Sequence, residues 1–196
     1  MDERGFKRYG SLVVITGPMF SGKTEELLRR IHLSNHAQKG HLVFKPQIDN
    51  RYSTSKVVSH WGRSNEAEAI IVRSSKEIKN YLNNKINLLF FDEIQFFDEE
   101  IVSTIDDLVR KGYKVTVTGL DKNFRGEPFN EIMKNLLVIA DSVIKLTAVC
   151  SVCKEDASFT QRIIEGQPAR YHDPLILVGS VEKYEARCRC CHVCLK

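Results

Sequence analysis

The sequence predicts an α/β fold, a doubly wound and mostly parallel sheet followed by a small C-terminal module. Three observations predict it. Short apolar runs alternate with helical patterns through the first 148 residues, the pattern of buried parallel strands with helices on both faces. A Gly-rich string ending in Gly22-Lys23-Thr24 lies between the first apolar run and the first helical pattern. All six cysteines lie in the last 47 residues, at Cys150, Cys153, Cys188, Cys190, Cys191 and Cys194.

The elements follow in order. Leu12 to Thr16 reads as a buried strand, and Leu27, Leu28 and Ile31 mark one face of the helix after it. His41 to Lys45 is a second strand, stopped by Pro46. Ala69 to Arg73 is a third, after which Ser74-Ser75-Lys76-Glu77 has capping-box spacing for a helix through about Leu82. Ile86 to Phe91 is almost wholly apolar, as in a strand covered on both faces. Ile101, Val102, Ile105, Leu108 and Val109 recur at helical spacing between Asp98 and Arg110, and Gly112 is placed to end that helix. Val115 to Thr118 is a strand, Asn130 to Ala140 a helix and Val143 to Val149 a last strand. In such a sheet ligands bind at the carboxyl ends of the strands.

Composition narrows the function classes. At 196 residues the chain is one domain, or one domain with an appendage, and 42% hydrophobic with 28% charged residues is ordinary for a globular protein. No apolar run approaches the length of a membrane span, and the charged start Met1-Asp2-Glu3-Arg4 is no signal peptide, so no membrane partner and a cytoplasmic location are expected. Lys and Arg number 29 against 25 Asp and Glu, spread along the chain, a balance that permits a phosphorylated ligand without demanding nucleic acid.

Gly17-Pro18-Met19-Phe20-Ser21-Gly22-Lys23-Thr24 fits G-x-x-x-x-G-K-[ST] at every fixed position, between a strand and a helix as that phosphate-binding loop (P-loop) requires. Glycines let backbone N–H groups converge on phosphate oxygens; Lys23 supplies a charge between the β and γ phosphates, and the Thr24 hydroxyl is a Mg²⁺ ligand. Asp92-Glu93 ends the buried strand Ile86 to Phe91. Asp92 is expected in the Mg²⁺ shell, and Glu93 as a general base toward either water or a substrate hydroxyl. The chain lacks an Asn-Lys-x-Asp element, which argues against guanine.

Cys150-x-x-Cys153 and Cys188-x-x-Cys191 are separated by 34 residues and read as a structural tetrahedral Zn²⁺ site closing the base of a long loop. At the second pair Cys190, His192 and Cys194 are also within reach, so the fourth ligand stays open. The expected organisation is a P-loop domain over residues 1–148 and a zinc-binding domain over 149–196.

Together these motifs, with Asp49-Asn50-Arg51-Tyr52, Asp92-Glu93-Ile94-Gln95-Phe96-Phe97, Gly119-Leu120-Asp121 with Phe124, and Tyr184-Glu185-Ala186-Arg187-Cys188-Arg189, resemble the cytosolic zinc-containing (type II) thymidine kinases over nearly the whole chain. The resemblance implies ATP-dependent phosphorylation of the thymidine 5′-hydroxyl, with Glu93 as the base and Asp49, Arg51 and Gln95 in the ATP and phosphate site. It implies that Phe124 stacks on thymine, that Met19, Leu120 and Thr160 surround its methyl group, and that a zinc-tied lasso closes over the base. The lasso's contacts would come from the backbone of Leu175, Ile176, Leu177, Val178 and Gly179 and from Tyr184. It further implies Mg²⁺, structural Zn²⁺, a homotetramer and inhibition by thymidine triphosphate. A P-loop ATPase with a zinc ribbon acting on nucleic acid and a kinase for another deoxynucleoside are the rival readings.

Overall fold

The structure, a computed structural model, describes residues 9–47, 56–58, 66–175 and 183–196. Six strands at the expected places form one parallel sheet: β1 (Ser11–Thr16), β2 (Gly40–Pro46), β5 (Ile70–Val72), β6 (Ile86–Phe91), β7 (Lys114–Gly119) and β8 (Ser142–Lys145). Their order is β5-β2-β6-β7-β1-β8. A short antiparallel pair, β3 (Lys56–Val58) and β4 (Glu66–Glu68), lies outside this sheet.

Alternate strand residues face opposite sides, and each side has its own helices. Val43 and Phe90 pack with Leu27, Leu28 and Ile31 of α1 (Lys23–His36). Phe44, Leu89 and Phe91 point the other way, onto Ile101 and Ile105 of α2 (Ile101–Arg110) and Ile132 and Met133 of α3 (Glu131–Ile139). Fully burying an aliphatic side chain such as Leu27 contributes roughly 1.5–3 kcal/mol before entropy is counted. The sheet is therefore doubly wound, as its sequence pattern predicts. Among the described residues, no helix is long and apolar enough to cross a membrane.

Two local expectations are corrected. Ser75–Tyr81 is a 3-10 helix and not an α-helix. Its one fully buried apolar side chain is Ile78, too little to hold a longer amphipathic face, and its first residue is tied down by Asp98, which accepts from Ser75 N and Ser75 Oγ at 2.6 Å each. The strand expected over residues 143–149 divides into β8 and β9 (Ala148–Val149). β8 continues the parallel sheet beside β1, whereas β9 pairs antiparallel with β10 (Asp156–Ala157).

From β9 onward the named strands pair antiparallel. β11 (Phe159–Ile164) is flanked by β12 (Gln167–Pro168) and β13 (Lys183–Arg187). Glu165 and Gly166 make the turn between β11 and β12, both at positive φ. The C-terminal tail is clipped to β11 by Gln161, whose amide accepts from Val193 N and donates to Val193 O, both at 2.8 Å.

Candidate active site

The carboxyl ends of β1, β6 and β7 bring three chemistries together. β7 lies between the other two, so the segment from Gly119 to Asp121 sits between the phosphate loop and the acidic pair. Gly17 leads the loop where a Cβ would stand 2.4 Å from Leu146 O and 2.8 Å from Ser21 Oγ, so no other residue fits without moving backbone. Lys23 Nζ and Ser21 Oγ both donate to Pro18 O, at 2.7 and 2.8 Å. Burial pushes the Lys23 ammonium below its ordinary pKa, opposed by the charges of Glu93, Asp92, Asp121 and Glu25. The lysine thus feels both members of the acidic pair.

Asp92 is buried and accepts from Thr118 Oγ1 at 2.6 Å, which orients one carboxylate oxygen. Glu93 follows with φ at 51°, a left-handed conformation that costs a non-glycine residue about 1 kcal/mol or more. That turn breaks β6 and carries the Glu93 side chain out of the strand's alternation. Gln95 Nε2 donates to Glu93 Oε2 at 2.5 Å. Beyond β7, the buried Asp121 accepts from Lys122 and Lys145, each at 2.8 Å. Burial alone would raise the Asp121 pKa, but the two ammonium groups outweigh it and hold the carboxyl below its usual range.

A second group of residues lines the side facing the C-terminal sheet. Met19 N donates to Thr160 Oγ1 at 3.0 Å. The Phe124 ring is 5% exposed, with the guanidinium carbons of Arg162 and Arg125 at 5.2 and 5.4 Å from its centroid. Those two arginines also reach the segment after β12: Arg125 donates to Asp173 O at 3.0 Å, and Arg162 donates to Pro174 O. His192 Nε2 lies 2.9 Å from Phe124 O. A carbonyl only accepts, so Nε2 carries the proton.

The sulfurs of Cys150, Cys153, Cys188 and Cys191 lie within 4.8 Å of one another. Cys153 and Cys188 Sγ are 3.5 Å apart, close to the ~3.8 Å edge of a tetrahedron built on ~2.3 Å Zn–S bonds. The donor set and spacing fit Zn²⁺. Cys190 is exposed and outside this cluster, and His192 is engaged with Phe124 O.

The sequence model of the thymidine kinase family matches residues 10–192. The chain belongs to the thymidine kinase family. Among solved structures it is similar to the X-ray structure of the Legionella pneumophila ATPase DotB, with a TM-score of 0.43 and 15% identity over 78% of this chain and 45% of that one. This chain thus spans about half the length of that protein.

The structure brings together many of the site residues expected from the sequence. Met19, Thr160 and the phosphate loop adjoin, and Glu93, Gln95 and Leu120 form one hydrogen-bonded set, Leu120 N donating to Gln95 Oε1 at 3.3 Å. Tyr184 pairs with Arg162 across β11 and β13, and Leu175 is exposed next to Pro174. Asp49, Arg51, Ile176, Leu177, Val178 and Gly179 lie outside the described residues. The sequence reading missed Thr118, Arg162 and Arg125. Thr118 ends the short strand run Val115 to Thr118 and could have been noticed there, but no spacing rule signals the two arginines.

Proposed function

We propose that the protein transfers the γ-phosphoryl group of ATP to the 5′-hydroxyl of thymidine, giving thymidine monophosphate. Family membership supports the pair of substrates. The observation that carries the reading is Glu93, held at 2.5 Å by Gln95 at the carboxyl end of β6, beside Asp92 and within the field of the phosphate-loop lysine.

In this reading the loop's N–H groups and the N-terminus of α1 hold the triphosphate. The Lys23 ammonium exchanges its bond to Pro18 O for phosphate oxygens as charge develops. Thr24 and Asp92 offer the oxygen ligands that Mg²⁺ takes, and the ion would neutralise charge on the β and γ phosphates. Glu93 accepts the hydroxyl proton as the oxygen attacks phosphorus. Phe124, Met19, Leu120, Thr160, Tyr184 and the lasso backbone receive the base, and Asp49 and Arg51 complete the phosphate site. The Phe124 ring is buried against two guanidinium groups, so stacking on thymine requires one of them to move aside.

The C-terminal residues 149–196 act as a zinc-tied module on the P-loop domain of residues 1–148, supported by the change from parallel to antiparallel pairing after β8. Family resemblance extends the proposal to a cytoplasmic homotetramer inhibited by thymidine triphosphate.

The test is ADP release with and without thymidine, on the parent and on Glu93→Gln. Thymidine-dependent release is expected from the parent alone, while the variant still binds ATP and turns over about 10²–10⁴-fold more slowly. Hydrolysis indifferent to thymidine would overturn the kinase reading.

A further inference from the structure

Gln95 sits at 3% exposure with both ends of its amide engaged. Nε2 donates to Glu93 Oε2 at 2.5 Å and Oε1 accepts Leu120 N–H at 3.3 Å. A backbone N–H only donates and a carboxylate only accepts, so the amide has one orientation, its NH₂ toward Glu93. The main-chain carbonyl of Gln95 is fixed as well, accepting from Asn130 Nδ2 at 2.8 Å, while Asn130 Oδ1 caps α3 through Met133 N at 3.1 Å.

The end of β7 is shaped around that amide. A Cβ on Gly119 would stand 2.7 Å from Gln95 Oε1, 2.8 Å from Met133 Sδ and 2.9 Å from Ile94 Cγ2. Gly119 is not at positive φ, so its lack of a side chain answers a need for space and not for backbone freedom.

We propose that Gln95 is a positioning residue for phosphoryl transfer: its amide holds the Glu93 carboxylate in place as a proton acceptor, and Gly119 leaves the room that the amide needs. The proposal rests on the reading of Glu93 as the base, and it moves Gln95 from the phosphate site to the base. The nucleoside O–H bond breaks toward the Glu93 carboxylate, which gains the proton as the nucleoside oxygen bonds the γ-phosphorus and the bond from that phosphorus to the β–γ bridging oxygen breaks, releasing ADP. A base held by one rigid amide reaches its hydroxyl without a search among rotamers, and misplacement of a reacting group by about 1 Å can cost about 10²-fold.

The test compares Gln95→Met, Gln95→Glu and Gly119→Ala by steady-state kinetics, ATP dissociation constant and thermal unfolding. Gln95→Met, of similar length without a donor, is expected to lower kcat by about 10²-fold with KM and Kd for ATP unchanged. Gln95→Glu sets carboxylate against carboxylate and lowers kcat further. Gly119→Ala keeps both functional side chains and lowers kcat by displacing the amide. Weaker ATP binding at unchanged kcat would make Gln95 a nucleotide contact and overturn the proposal; so would lost thermal stability with kcat intact. Turnover by Glu93→Gln in the same assay would remove the base reading itself, whereas an inactive Glu93→Gln beside an active Gln95→Met removes only the positioning role.

Discussion

Met19 N donates to Thr160 Oγ1 at 3.0 Å across 141 positions of sequence, so the phosphate loop is bonded directly to the antiparallel sheet of the C-terminal region. The loop's shape therefore depends on a strand that the β/α alternation does not include. Replacing Thr160 with Val keeps the side chain's shape and removes the acceptor, leaving a part-buried N–H unpaired at a cost of about 1–3 kcal/mol. Calorimetry should show Thr160→Val melting several degrees below the parent and Thr160→Ser close to it. A Val variant as stable as the parent would show that the bond couples nothing.

The four clustered thiols predict how zinc binding varies with pH. Burial disfavours the Cys150 thiolate, but backbone N–H groups of Cys153, Cys188 and Val152 outweigh it and bring the pKa down to about 6. Cys191 is pushed up to about 12 by its hydrogen bond to Cys188 and by burial. Zinc binds thiolates and must displace the protons of the thiols held high, Cys191 foremost, so affinity should rise with pH. Zinc titrations at pH 6 and pH 8 in two buffers of different ionisation enthalpy would read the released protons. Cys191→Ser should lose the metal, and Cys190→Ser and Cys194→Ser should retain it.

Asp121 gives the protein a defined acid sensitivity. Its folded pKa is depressed, so its stabilising contribution is present above the ordinary aspartate range and is lost as pH falls through that range toward the folded value. Asp121→Asn should flatten the acid side of the stability curve and destabilise the protein at pH 7, because Lys122 and Lys145 lose their shared partner. Urea unfolding of both proteins from pH 3 to pH 7 would measure it. Parallel curves would remove the role.

Phe124→Ala should weaken thymidine more than ATP. A base stacked on an aromatic face is worth roughly 1–3 kcal/mol at nucleic-acid sites that use the same contact, so KM for thymidine should rise about ten-fold or more with KM for ATP unchanged. Equal changes in both would indicate that the ring serves only to pack Arg125 and Arg162.

The lasso should open by breaking the bonds from Arg125 to Asp173 O and from Tyr171 OH to Glu127, the latter at 2.6 Å. Glu165-Gly166, between β11 and β12, is a tight turn with open space around Gly166. Limited proteolysis should cut the segment of residues 165–175 faster in Tyr171→Phe than in the parent, and thymidine should slow both. Equal rates with and without thymidine would remove the case for a lid.

The sequence by itself determined what is local. Apolar periodicity placed the strands of the parallel sheet and the helices α1, α2 and α3, because each strand or helix buries a face set by its own period. The phosphate loop and the Asp92-Glu93 pair were legible because their chemistry uses contiguous residues, and the cysteine pairs because each spans one metal ligand spacing. The resemblance added roles, and those for Asp49 and Arg51 and for residues 176–179 fall outside the described residues. Only the tertiary structure decided that Cys191, and not His192 or Cys194, joins the other three sulfurs, and that His192 instead donates to Phe124 O. It alone set Thr118 on Asp92, Arg162 on Phe124 and Gln95 between Glu93 and Leu120. The physical reason is that such partners meet where separate strands end or where one loop folds over another, so their pairing is fixed by strand order and register, and spacing along the chain carries no record of it.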